Sequence, residues 1–328
     1  PYSVLLQPDY QIRKLESARL KMPLNLNRKE GYLRLGMGNR WATLADFMYP
    51  ILNKPNYRLD INLNHNGIFS KMDKIDEKMH HDNKAGLSFN RYYENGELFI
   101  NGGYGYEAFN YYGENFILAK YATSTFLNEI GSSFLGQDYL PEYANISRWD
   151  FALGYNSKLN DKDYSYNLSS KYNGFSTPIG LTEHTIDTKL FFDKKIDENK
   201  VGVDLKLLNL LYNSNNVQNE LTQNNYAVFS LNPFFTFEQA KWWLRLGVKA
   251  NFSKASEGVA FAPVADIEGQ VSLIEKSIYA YGAITGDYQV NSMNYMETLN
   301  RYLNLNKKIK DTYTPFDIHG GFKLKLLY

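Results

Sequence analysis

Tyr57-Arg58-Leu59-Asp60-Ile61-Asn62-Leu63-Asn64 carries an apolar or aromatic side chain at every odd position and a polar one at every even position. Side chains alternate across an extended strand, so this segment has one greasy face and one wet face. The same period recurs along the chain. Trp242, Leu244, Leu246, Val248, Ala250 and Phe252 share a face, with Arg245, Lys249 and Asn251 on the other. Val201, Val203, Leu205 and Leu207 oppose Gly202, Asp204 and Lys206, while Trp149, Phe151, Leu153 and Tyr155 oppose Asp150, Ala152, Gly154 and Asn156. Weaker copies lie near 31–38, 41–50, 84–93, 97–108, 163–172, 182–193, 224–232, 261–273, 276–287 and 315–328. Together these segments predict an all-β, antiparallel barrel of about fourteen strands, an even count as a single-chain bacterial barrel requires.

A soluble sandwich also alternates, but its strands average about five or six residues. These run to about ten, close to the length that crosses a bilayer at a tilt. Aromatic residues sit at the segment ends: Tyr57, Trp149 with Tyr155, Tyr164 with Tyr172, Phe192, Trp242 with Phe252, and Tyr328. Rings there suit the two headgroup interfaces. The 27 Tyr and 20 Phe fit that demand, and no run of 18 apolar residues exists to form a transmembrane helix. In lipid every backbone group needs a partner within the sheet, so the sheet must close.

Connection lengths, which are independent of the alternation, sort by side. With the first strand rising from the periplasm, the inner connections are all short: near Asn53-Lys54-Pro55, Glu94-Asn95-Gly96, Leu159-Asn160-Asp161, Asp197-Glu198-Asn199, Pro233 to Ala240, and Glu275. The outer ones include about 18 residues after His65, about 36 after Ala108, about 12 after Leu211 and about 27 after Asp287. Asn39-Arg40 is a tight exception. The last segment places Ile318, Phe322, Leu324, Leu326 and Tyr328 on one face, an alternation closing on an aromatic that resembles the signal read by the outer-membrane barrel-assembly machinery. Residues 1–30, with Leu5, Leu6 and the basic Arg13, Lys14, Arg19 and Lys21, read as a periplasmic segment or a small plug, leaving 31–328 as the barrel. The chain begins at Pro1, which suggests trimming or processing.

Near-balance of 36 basic against 35 acidic residues argues against a nucleic-acid binder, which needs a basic excess. The absence of cysteine removes zinc ribbons, disulfide scaffolds and cysteine nucleophiles. No cofactor motif is present. His80-His81-Asp82 reads as a solvated part of the second outer loop, because adjacent residues on an extended chain point apart and no spaced partner completes a tetrahedral site. Ser169 and Ser170 lack a nucleophile context, and the expectation is that the protein is not an enzyme.

Gly31-Tyr-Leu-Arg-Leu-Gly-Met-Gly-Asn39 with Asn56-Tyr-Arg-Leu-Asp-Ile-Asn-Leu-Asn-His65, and Thr314-Pro-Phe-Asp-Ile-His-Gly-Gly-Phe-Lys323, resemble a poorly characterised family of bacterial outer-membrane barrels that are TonB-dependent-receptor-like. The resemblance covers about a fifth of the chain and implies an outer-membrane location. It also implies strands continuing past the Thr314 segment, as in a piece of a larger barrel.

The wet faces carry opposite charges two residues apart: Arg58 and Asp60, Asp187 and Lys189, Asp204 and Lys206. Such pairs either polarise a pore lining or neutralise one another in a wet interior. Arg245, Lys249, Lys323 and Lys325 form a basic set, with Asp266 and Glu268 acidic on an intervening strand, which favours a transverse field. In the last long outer loop Met296, Leu299 and Leu303 fall at helical spacing. This stripe is a candidate gate folded into the mouth, or a surface for a partner. Residues 109–143 are a candidate lid or docking surface. The leading expectation is a porin-like channel for small solutes, in contact with outer-membrane lipid. The alternatives are a non-transporting barrel whose outer loops bind other envelope proteins and, less favoured, an outer-membrane enzyme.

Overall fold

The computed structural model describes residues 31–72, 75–110, 143–157, 163–177, 180–214, 224–254, 261–275, 277–301 and 309–325. Fourteen strands form a single sheet in sequence order, each antiparallel to the next. They are β1 (Tyr32–Gly38), β2 (Ala42–Lys54), β3 (Tyr57–Met72), β4 (Ile75–Tyr93), β5 (Gly96–Asn110), β6 (Tyr143–Ser157) and β7 (Tyr164–Ser176). The second half comprises β8 (Leu181–Ile196), β9 (Asn199–Ser214), β10 (Tyr226–Glu238), β11 (Trp242–Ser253), β12 (Phe261–Ile274), β13 (Ile278–Gln289) and β14 (Thr312–Leu324), with helix α1 (Met293–Leu299) before the last strand. Among the described residues β1 and β14 are the edges of the sheet.

Register carries the alternation across the wall. Leu59, Ile61 and Leu63 of β3 face Phe89, Leu87 and Ala85 of β4, while Arg58, Asp60 and Asn62 face Asn90, Ser88 and Gly86. The apolar face is exposed: Leu63, Leu87, Ile100, Phe151, Leu153, Leu168, Leu207, Leu246 and Val248 all stand open. An apolar surface of that extent is stable only against lipid. The polar face is the concave one. Asn232 on β10 donates to Asp266 on β12 at 2.7 Å, across the whole width of β11. Gly247 of β11 makes the reach possible, since a Cβ there would lie 2.9 Å from Asp266 Oδ2 and 3.1 Å from Asn232 Oδ1.

Two belts of rings bound the lipid face. Near the short turns Tyr155 stacks on Tyr166 at 5.7 Å, and Tyr164 on Phe192 at 6.4 Å. Towards the long loops Phe252 meets Phe261 at 5.2 Å, and Trp149 Nε1 donates to Tyr172 Oη at 3.1 Å. Trp242 and Phe252 stand ten residues apart on β11. That is about 33 Å of strand, or about 25 Å of height at a 40° tilt, the thickness of an outer-membrane apolar band.

The strand set agrees with the alternating segments, but the strands are longer, up to 19 residues in β4. The loop expected after His65 is mostly strand: β3 and β4 stay paired past Phe69↔Met79. His80, His81 and Asp82 therefore lie in β4 rather than in a solvated loop. The turn expected from Pro233 to Ala240 is confined to the few residues between Glu238 and Trp242. Pro233 lies within β10 opposite Val203 and points to lipid, where its missing N–H interrupts the ladder to β11 without breaking the strand. Residues 1–30, most of 109–143, Leu303, Leu326 and Tyr328 lie outside the described residues, and so do the expected plug, the expected lid and the last residues of the expected terminal strand.

Candidate functional site

Eleven of the twelve charges expected to line the lumen sit on the polar, concave face, and Lys325 lies just past the end of β14. Arg58 Nε donates to Asp60 at 2.9 and 2.7 Å, closing the first pair within β3. Lys189 lies 3.4 Å from Asp187. The third pair does not close, because Lys206 lies instead 4.0 Å from Asp187 on the neighbouring strand. The basic Arg245 and Lys249 lie on β11 and Lys323 on β14, with Asp266 and Glu268 on β12 between them. Strands β11 and β12 are adjacent, and Arg245 donates to Asp266 at 2.9 Å while its guanidinium covers the Phe234 ring at 3.9 Å. A transverse field needs unpaired charge on opposite walls, and this contact cancels much of it locally. Lys323 donates to Gln270 at 3.2 Å and stands over the Tyr281 ring. Among the described residues Lys249 and Lys325 form no ion pair.

The densest constellation lies at the mouth, where α1 rests on the concave wall. Its N-cap is Ser292, whose Oγ accepts from Tyr295 N at 3.1 Å. Glu183 of β8 supplies a second acceptor, taking the Met293 backbone N–H at 2.6 Å. A carboxylate there satisfies orphan donors and meets the positive end of the helix. Met293 is 1% exposed, packed among Phe109, Ile146, Phe175, Leu181, Leu208, Leu210 and Tyr212. These all belong to the concave face, so the mouth holds a small apolar core within an otherwise polar lumen.

Charge completes the attachment. Arg148 of β6 donates from Nε to Asn294 Oδ1 at 2.9 Å, pairs with Glu297 of α1, and reaches Glu107 of β5 at 3.2 Å. Its guanidinium lies over Phe175. Arg301, just past the helix, pairs with Glu107, which also meets His80 Nε2 at 3.2 Å. Burial pushes the Glu297 carboxyl up from its ordinary range, and Glu107 adds to the rise while Arg148 and Arg301 oppose it. The returning chain is fixed by Asp311, which accepts from Tyr226 at 2.9 Å, from Tyr288 at 2.8 Å and from Asn291 N at 3.2 Å.

The loop thus folds onto the wall, but not by the stripe read from sequence. Met296 is half-buried and Leu299 is 63% exposed. The inward positions are Met293 and Glu297, one turn apart. The helix ends at Leu299, too soon for a stripe reaching Leu303, and the wall offers an arginine that draws a glutamate inward. Glu107, Arg148 and Glu183 stand at ordinary wet positions of their strands, and no spacing links them to a helix more than 100 residues away. His81 points outward, edge-on to Phe69 at 4.1 Å, while its neighbour His80 faces the lumen.

No protein-family model matches the chain, and no curated protein matches its sequence. The structure is similar to the siderophore receptor PirA from Pseudomonas aeruginosa, with a TM-score of 0.53 and 8% identity over 80% of this chain and 43% of that one. The ferric-catecholate import receptor Fiu from K12 E. coli gives 0.56 and 9%, over 79% and 50% of the two chains. The ferric yersiniabactin uptake receptor FyuA from Yersinia pestis gives 0.50 and 10%, over 90% and 52%. This chain spans about half the length of those receptors or less. At such identities the likeness is one of fold. That fold, an antiparallel transmembrane β-barrel, is the architecture of the bacterial outer membrane.

Proposed function

We propose that this barrel is a porin-like channel that passes small polar solutes across the outer membrane, with the α1 loop folded in as its constriction. The observation that carries the reading is the attachment of α1 to the lumen wall through Arg148, Glu183 and the Met293 contacts. A loop that served to hold an outside partner would keep its anchoring side chains free. Here Met293 and Glu297, the inward pair of the helix, are spent on the barrel itself. Outer-membrane receptors of like fold, named for siderophore or ferric-catecholate import, support passage as the general task. Neutralised charge pairs along the wall suit weakly charged or neutral solutes better than a strongly ion-selective pore. Planar-bilayer recording of the purified barrel tests the reading. Conductance is expected to rise when residues 292–311 are replaced by a short linker, with heat-modifiable gel migration retained. A barrel that conducts nothing with or without the loop would overturn it.

A further inference from the structure

Below the α1 attachment, strands β3 to β6 leave a hollow in the lumen wall of about 340 Å³. That is near the lower end of small-molecule sites, which run to about 300–1,000 Å³. Its origin lies in register. Asn62, Gly86, Gly103 and Asp150 form one row across the four strands. The row towards the periplasm reads Asp60, Ser88, Asn101 and Ala152, and the row towards the mouth reads Asn64, Lys84, Gly105 and Arg148. Glycine at two of these positions gives the Asn62 and Asp150 side chains room to lean over the backbone, and at Gly105 the nearest side-chain atom, Lys84 Cγ, lies 3.7 Å from where a Cβ would stand. Asn62 and Asp150 lean in from either side. A Cβ at Gly86 would lie 2.5 Å from Asn62 Oδ1, and one at Gly103 would lie 2.6 Å from Asp150 Oδ1.

We propose that this hollow binds a neutral polyhydroxylated solute of mono- or disaccharide size, an inference that rests on the channel reading and names its solute class. Among the described residues Asn62, Ser88, Asn101 and Asp150 make no side-chain hydrogen bond or ion pair, so their donors and acceptors are free for a ligand. Two amides and a hydroxyl both give and accept, and a carboxylate takes adjacent hydroxyls in a bidentate pair. The rim cations are already spent: Lys84 is 2.8 Å from Asp82, and Arg148 is held by Glu107 and Glu297. An anion therefore finds no free positive charge there. A ring seated here meets the amide of Asn62 and the carboxylate of Asp150, which lie over Gly86 and Gly103, with open backbone at Gly105 beside them. Because Arg148 roofs the hollow and also holds α1, the solute rests directly beneath the constriction.

Titration calorimetry of the full chain in detergent micelles tests the site, with maltose as probe and spermidine and gluconate as charged comparators. Maltose is expected to bind with millimolar affinity, above both comparators. Asp150→Ala and, separately, Gly103→Val are each expected to weaken it about tenfold while leaving heat-modifiable migration intact. Absence of maltose binding, binding unmoved by both variants, or tighter spermidine binding with the same residue dependence would each overturn the proposal. Conductance is read apart from binding. If the barrel conducts but takes up no maltose, the site fails and the channel stands. Residue-dependent maltose binding by a barrel that conducts nothing keeps the site and removes the channel.

Discussion

Replacing Arg148 by Ala should unfasten α1 from the wall. The side chain makes a 2.9 Å hydrogen bond to Asn294, an ion pair with Glu297 and a 3.2 Å contact to Glu107. Removing one partner of a buried ion pair costs about 3–5 kcal/mol. The Glu297 side chain is 4% exposed and qualifies as buried, whereas Arg148 is 27% exposed and exchanges part of its loss with water. Arg301 remains to hold Glu107. The closed position should therefore weaken by about 2–3 kcal/mol, or roughly 30- to 150-fold in the ratio of closed to open. Met293 burial and the Glu183 contacts stay, so the helix detaches more often without losing its place altogether. Single-channel recording reads the closed fraction directly. Adding Glu297→Gln to Arg148→Ala removes the orphaned carboxylate and should restore part of the closed population, a coupling that independent sites would not show. A closed fraction for Arg148→Ala within twofold of the parent, in a barrel that deletion of the loop does open, would refute the latch.

Acidity acts on the same helix with a sign that follows from burial. The Glu297 pKa is raised in the closed position, so that position binds the proton more tightly. Its stabilisation is complete below the ordinary value of 4.5 and is lost as pH rises through the raised one. The closed fraction should thus grow as pH falls across that window, and Glu297→Gln should flatten the dependence measured in single-channel records. On the lipid face, Ile61→Arg should cost about 2–4 kcal/mol in urea unfolding from vesicles. The lumen-facing Asn90→Arg, three register positions from Ile61 and opposite Arg58, should cost clearly less, and equal costs would invalidate the facing. Lys249 and Lys325 are unpaired among the described residues, so changing both to Gln should move the reversal potential in a salt gradient towards cation preference. An unmoved potential would make them structural only.

Alternation in Tyr57–Asn64, Trp149–Asn156 and Trp242–Phe252 determined strand, facing and bilayer together, because lipid on one side and water on the other force a period of two. The signal fades where strands leave the lipid. From His65 to Phe69 the outward face carries His65 and Gly67 beside Phe69, so the apolar period weakens, yet backbone pairing with β4 continues. That is why a strand of 19 residues reads as a shorter one followed by a loop. The lumen charges were legible as positions but not as pairs. Asp187 chooses Lys189 and Lys206 together, and Arg245 chooses Asp266, through register between strands that neither sequence spacing nor charge sign can specify.

The sequence by itself determined the strand set, the facing of its alternating segments and a helical spacing in the last long loop. Only the tertiary structure decided which face of that helix turns inward. Its partners come from β5, β6 and β8, three strands brought beneath it by the curvature of the wall, and an arginine there outweighs the pull of an apolar stripe. The hollow below is decided in the same way. Gly86, Gly103 and Gly105 are scattered wet-face positions in the sequence, and they become one hollow because β4 and β5 bring them side by side, leaving the space that Asn62 and Asp150 lean into.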